Sequence, residues 1–214
     1  MSLRLAAVAL LSSWAAAGAV QTPLTPRLVD EAVVLGKSAV ERTHASFHAP
    51  YRLVVARPPV DFIEVITPLR RVVLLTEQRV RSGERGFGSR QAMEDADVRA
   101  AELELRAELT FHPLNTYVGV PAYDVSLLAA GSPRIEPRTF NRTPRYGPRF
   151  EGPPLVTAVP GGGTLPGASQ PILGGTISAR FDLGLVNDNG IYEVLISEKE
   201  TELVRVRLDL SRLR

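Results

Sequence analysis

The 214-residue sequence has no cysteine, a single tryptophan (Trp14) and only two lysines, Lys37 and Lys199, among its 25 basic residues. Without thiols the chain can form no disulfide, no cysteine nucleophile and no thiolate metal site. A lipid anchor attached through cysteine is excluded for the same reason. The stability of the fold must therefore come from burial of apolar side chains and from polar contacts.

The sequence also lacks the run of roughly 20 apolar residues that a membrane-spanning helix needs. Its nearest approach is the N-terminus, where Arg4 precedes a short apolar run and the small residues Ala17, Gly18 and Ala19 follow. This arrangement is typical of a cleaved signal peptide. We expect residues 1–19 to be removed and the protein to be exported, either to a periplasm or as a secreted protein. A retained N-terminal anchor is the alternative.

Charge of one sign is not in excess, since the formal net charge is +2. Such a balanced chain has no electrostatic signature of a nucleic-acid partner. The Gly-x-Ser-x-Gly and Ser-x-x-Lys patterns of common serine nucleophiles are absent as well. These absences predict a non-enzymatic protein without a cofactor.

Helical periodicity predicts two helices in the first half of the chain. Thr25 and Pro26 form an N-terminal cap and first turn for a helix over 25–42. The apolar positions at helical spacing in this segment are Leu28, Ala32, Leu35 and Ala39. A second helix is predicted over 69–82, and residues 90–100 have a helical composition. A helix that continues through Leu109 is the alternative to a strand from Leu103.

Alternating apolar residues predict about seven strands. The segments are 51–56, 60–67, 103–111, 123–129, 176–185, 192–196 and 204–210. The last three, joined by turns at 187–190 and 198–202, are expected to form a three-stranded antiparallel meander. The sequence thus predicts a mainly β protein with two helices (α+β), with an antiparallel β-sandwich-like domain, an N-terminal amphipathic helix and a C-terminal three-stranded meander.

Proline and glycine are concentrated in residues 132–174, which hold nine of the 17 prolines. This composition predicts a long excursion that neither pairs nor coils over any length. We expect residues 20–214 to form a single domain that contains this excursion. Two small domains joined by a linker at 132–174 are the alternative.

One segment alternates arginines with aromatic residues, and its members are Arg138, Phe140, Arg142, Arg145, Tyr146, Arg149 and Phe150. Guanidinium groups and aromatic faces together can hold planar or anionic partners. The segment predicts binding or scaffolding of an envelope protein, an anionic glycan or an envelope lipid headgroup, and export argues against nucleic acid. The alternative is structural: the aromatics pin a loop onto the body while the arginines pair with nearby acids.

Imidazoles and a carboxylate provide a second candidate site. Its residues are Glu41, His44 and His48 near the end of the first helix, and His112 at a strand end. These are suitable zinc ligands, so the alternative function is a metal-assisted hydrolase. Lys37 falls on the same helix face and would oppose a divalent cation, which favours an ordinary solvated face.

Overall fold

The computed structural model describes residue 20, residues 23–147 and residues 171–213. These residues form an antiparallel two-sheet sandwich with helices, so the predicted α+β, sandwich-like single domain is confirmed. The helices are α1 (Pro26–Gly36), α2 (Glu41–His48), α3 (Pro68–Arg81), α4 (Ser89–Glu94) and α5 (Ala96–Arg99). The strands are β1 (Arg52–Arg57), β2 (Val60–Ile66), β3 (Glu102–Thr110), β4 (Tyr123–Ala129), β5 (Thr139–Tyr146), β6 (Ile172–Asp182), β7 (Ile191–Glu198) and β8 (Thr201–Asp209).

Two sheets enclose the main core. The larger sheet has the order β1-β2-β3-β6-β5 and the smaller one the order β4-β7-β8. Alternation along β3 buries Leu103, Leu105 and Leu109 against the smaller sheet, which contributes Val194 and Ile196 of β7. The period-2 pattern of the sequence therefore reports the inward face correctly.

The three C-terminal strands are present, but they do not form the predicted three-stranded meander. β6 pairs with β3 and β5 in the larger sheet, whereas β7 pairs with β4 and β8 in the smaller one. The connection at 183–190 therefore carries the chain from one sheet to the other. An alternating pattern shows which side chains are buried, but it does not show which strand is the neighbour.

The prediction that residues 132–174 cannot pair is wrong for two parts of that range. β5 lies inside it and pairs with β6, which itself begins at Ile172. Pro144 is tolerated in β5 because this strand is at the edge of its sheet, where a ladder hydrogen bond can be absent. Residues 148–170 of the predicted excursion lie outside the described residues.

The single helix predicted over 25–42 is two helices, α1 and α2. α1 ends at Gly36, where a Cβ atom would lie only 2.7 Å from the Cβ of Thr76 on α3. This close approach turns Val29, Ala32 and Val33 inward, so only Ala32 of the predicted apolar face is buried in α1. The second predicted helix is confirmed as α3.

The helices form a smaller core of their own beside the sandwich. Val29 and Val33 of α1 pack there with Val72 and Val73 of α3. Phe47 of α2 is half-buried and contacts both this core and the sandwich core. Among the described residues, no helix has the length and apolar character needed to cross a membrane.

Candidate functional site

Arg142, from the predicted binding segment, bridges the edges of the two sheets. Its guanidinium donates to the Tyr123 carbonyl at 2.8 Å, lies 3.8 Å from the Asp124 carboxylate and lies 4.4 Å from the centre of the Phe140 ring. Tyr123 opens β4, which is an edge strand of the smaller sheet. Arg142 therefore satisfies a carbonyl of one sheet from a strand of the other.

Arg145 makes its contacts within the larger sheet. Its guanidinium donates to the Glu108 carboxylate and the Leu109 carbonyl, both at 3.0 Å, and to the Thr110 hydroxyl at 3.2 Å. The neighbouring strand has Gly174 opposite Arg145, and a Cβ there would lie 2.7 Å from the guanidinium. The absence of a side chain at that position gives the arginine its space.

The predicted arginine and aromatic residues therefore do not share one surface. Arg142 points towards β4, whereas Arg145 contacts β3. Arg138 is exposed, and the Tyr146 side chain is 51% exposed at the end of β5. Arg149 and Phe150 lie outside the described residues. The contacts of the two bridging arginines agree with the structural alternative for this segment, in which arginines pair with nearby groups.

His44 and His48 of α2 share one carboxylate oxygen of α3. Nδ1 of His44 lies 2.9 Å and Nε2 of His48 lies 2.8 Å from Oε1 of Glu77. Arg70 donates from Nε to Nδ1 of His48 at 3.3 Å, which makes that ring nitrogen an acceptor and places the proton on Nε2. Arg70 also forms an ion pair with Glu64 at 3.0 Å, so the guanidinium of Arg70 lies between the His48 ring and the Glu64 carboxylate.

The alternative metal site of Glu41, His44, His48 and His112 is not assembled among the described residues. The carboxylate between the two rings belongs to Glu77, and Nδ1 of His112 accepts from a backbone N–H in the turn after β3. Across residues 23–147 and 171–213, no group of three or more His, Asp or Glu side chains could hold a metal ion. Glu77 was missed because only tertiary packing brings α3 to α2.

Glu104 is the centre of a buried charge cluster on the outer face of β3. Its side chain accepts from Ser178 at 2.8 Å and from Arg106 at 2.9 Å, with Arg180 at 3.5 Å and Arg71 at 3.7 Å. Burial alone would raise the pKa of this carboxyl. The Ser178 hydrogen bond and the Arg106 guanidinium outweigh it, so the pKa of Glu104 is below its ordinary value. Glu104 is a structural anion that ties the sheet to α3.

The connection between β3 and β4 forms an ordered loop at one end of the sandwich, which we call the end loop (residues 111–122). The rings of Tyr117 and Phe111 pack edge to face with centroids 4.9 Å apart. Burial, together with the Tyr117 hydrogen bond, raises the pKa of Tyr123 above its ordinary value. Asn115 donates from its side chain to the Ile172 carbonyl at 2.9 Å. Contacts with two strands therefore hold the loop in place.

Aliphatic side chains project from this end of the molecule. Leu114 and Val118 of the end loop are 84% and 96% exposed. Leu173 at the start of β6 and Tyr146 at the end of β5 are 37% and 51% exposed. We call these four residues the apolar tip. Residues 109–123 contain no Asp, Glu, Lys or Arg, so the loop that carries the tip has no charged side chain apart from the titratable His112.

The sequence alone does not predict the apolar tip, because candidate sites are recognised in a sequence by charged, aromatic and nucleophilic residues. The absence of charge over 109–123 was the available signal, and it needed the fold to show that the aliphatics face solvent. Comparison of the chain with family models, curated proteins and solved structures finds no match. The function must therefore be argued from the surface itself.

Proposed function

We propose that the protein is an exported, non-enzymatic binding protein of the cell envelope that contacts its partner through the apolar tip. The observation that carries the proposal is the near-complete exposure of Leu114 and Val118 on a loop held by defined contacts. Exposed aliphatic side chains add nothing to the core. Leu114 and Val118 lie four residues apart on one loop, and exposed apolar side chains that cluster on a loop are typical of a contact surface.

The position of the arginine-rich strand β5 also supports the proposal. Arg142 and Arg145 fasten β5 to β4 and β3, and β5 ends at Tyr146, which belongs to the tip. The strand predicted to bind a partner therefore contributes one tyrosine to the contact, and its arginines hold that tyrosine in position.

Export is supported by the N-terminal sequence pattern of residues 1–19. Cell fractionation of the native host and N-terminal sequencing of the recovered protein test this part. We expect a mature chain that begins at Val20 in the periplasmic or secreted fraction. A cytoplasmic chain with Met1 intact would contradict it.

Capture from an envelope extract tests the binding surface. Immobilised residues 20–214 should retain an envelope component, lipid or protein, and the double variant L114S/V118S should retain at least tenfold less. A matched control is V54S/L185S, because Val54 and Leu185 are 73% and 66% exposed outside the tip. Equal retention by both double variants would contradict the proposal.

A further inference from the structure

We infer that the partner of the apolar tip is the surface of a lipid bilayer, and that Leu114 and Val118 insert into its interfacial region. This inference rests on the proposed function and commits it to one class of partner. Three features of the tip support a lipid partner: its shape, the absence of formal charge from the end loop and the hydrogen bonding of the loop backbone.

The shape of the tip favours a fluid partner. At 84% and 96% exposure, Leu114 and Val118 project from the loop with few neighbours of their own chain. A specific protein interface buries roughly 800 Å² on each side in a closely packed patch. Two isolated aliphatic side chains offer little such area to a rigid surface, whereas lipid can surround them on every side.

The end loop and the start of β6 carry no formal charge, whereas Asp61 at Thr110 and Glu198 opposite Tyr123 lie at the same end of the sandwich, so insertion is confined to the loop. No Asp, Glu, Lys or Arg occurs in residues 109–123 or 171–179, which supply the end loop and the start of β6. Insertion of this part would therefore desolvate no formal charge from those four residue types. Arg145 is nearby in β5, and its guanidinium is already paired with Glu108 at 3.0 Å.

Two half-exposed tyrosines lie on the same segments as the aliphatic side chains, Tyr117 in the end loop and Tyr146 at the end of β5. Tyr117 and Tyr146 are 43% and 51% exposed, so part of each ring is buried and part is accessible. Tyrosine is enriched at the boundary between membrane and water, where its ring meets headgroups and its hydroxyl meets water. The two rings are thus suited to the rim of an inserted tip.

Three backbone N–H groups of the loop already have hydrogen-bond partners within the loop. The Leu114 N–H donates to Nδ1 of His112 at 3.2 Å, and the Asn115 N–H donates to the His112 carbonyl at 2.9 Å. The Tyr117 N–H donates to the Asn115 side chain at 3.0 Å. Internal partners of this kind reduce the cost of moving backbone polar groups out of water.

Sedimentation with vesicles of pure phosphatidylcholine tests the inference. Residues 20–214 should bind these vesicles weakly and reversibly, as proteins that are anchored by a single acyl chain do. The L114S/V118S variant should partition at least tenfold less, since two aliphatic side chains are lost from the contact. The V54S/L185S control should match the wild type, and added salt should leave partitioning unchanged.

A fluorescent reporter tests insertion directly. Trp14 is the sole tryptophan and lies in the predicted signal peptide, so residues 20–214 contain none. The emission of a V118W variant should shift to shorter wavelength on vesicles and should be quenched by brominated acyl chains. The emission of V54W should show neither change. Absence of both changes in V118W would overturn the inference.

The two assays separate this inference from the proposed function. Where the wild type fails to bind vesicles but envelope capture still requires Leu114 and Val118, the partner is a protein and the lipid inference is wrong. Where neither assay depends on these residues, the proposed function fails as well. Far-ultraviolet circular dichroism of each variant should match the wild type, because the substituted side chains are exposed.

Discussion

The Nε2 atom of His48 lies 2.8 Å from Oε1 of Glu77, and this contact joins α2 to α3. His44 reaches the same oxygen at 2.9 Å. No residue of α2 is buried, so these two contacts with Glu77, the Arg70 hydrogen bond to Nδ1 of His48 and the half-buried ring of Phe47 hold the helix to the body. The attachment of α2 therefore depends strongly on one carboxylate.

Replacement of Glu77 by alanine should release α2 from α3. Two ring N–H groups lose their acceptor, and we expect the free energy of unfolding to fall by about 1–3 kcal/mol. Hydrogen exchange should accelerate in α2 more than in the strands. Glu31→Ala is the control, because Glu31 forms an exposed ion pair with Arg27 within one helix. Unchanged exchange in α2 would show that other contacts hold this helix.

Glu104 should make the protein sensitive to acid. Its pKa in the folded protein is below the ordinary value of 4.5, so the unfolded chain takes up a proton at higher pH than the folded one. The stabilisation is complete above about pH 4.5 and is lost as the pH falls through the folded pKa. Urea unfolding at several pH values should show this decline, and Glu104→Gln should make it shallower. An equally steep decline in the variant would assign the acid sensitivity to other carboxyl groups.

Arg142 and Arg145 should matter for stability. Replacement of either by alanine removes charged hydrogen bonds to a backbone carbonyl, and we expect a loss of about 1–2 kcal/mol in each case. Arg138→Ala is the matched control from the same segment, since the Arg138 side chain is exposed and forms no hydrogen bond or ion pair with the described residues. Thermal and urea unfolding provide the measurement. A variant of Arg142 or Arg145 with wild-type stability would contradict the bridging role.

Gly174 should not accept a side chain. A Cβ there would collide with the Leu109 carbonyl and would lie 2.7 Å from the Arg145 guanidinium, so Gly174→Ala should separate β6 from its neighbours. We expect a loss of about 1–3 kcal/mol or more, as in other overpacked sites. Gly119→Ala is the control, because a Cβ at Gly119 has nothing within 4 Å. Equal unfolding midpoints for both variants would contradict the close packing of β6.

Local patterns predicted the elements of this fold better than their arrangement. The strand predicted over 123–129 has the bounds of β4, and the alternation from Leu103 to Leu109 marks the buried face of β3. Burial of one face leaves a period in the sequence that is independent of the neighbouring strands. This period does not show which strands pair with one another, so the sequence alone predicts β6 in the wrong sheet.

The residues that were missed have weak local signals. β5 is an edge strand with mostly exposed side chains and Pro144 in its interior, so it has no apolar alternation to read. Glu77 meets His44 and His48 only because α2 folds back onto α3. The apolar tip is defined by the solvent exposure of its side chains, which cannot be read from the sequence for individual residues.

The order in which the strands join the two sheets makes the domain indivisible. Along the chain, β3 enters the larger sheet, β4 the smaller, β5 and β6 the larger, and β7 and β8 the smaller. β4 can therefore pair only once β7 is present, and β8, the other partner of β7, ends at Asp209. No cut inside 123–209 yields a fragment with both sheets complete, and the sandwich should unfold in one cooperative transition. The smaller sheet cannot be completed until β8 is present, so a chain truncated before Thr201 should fail to form the sandwich.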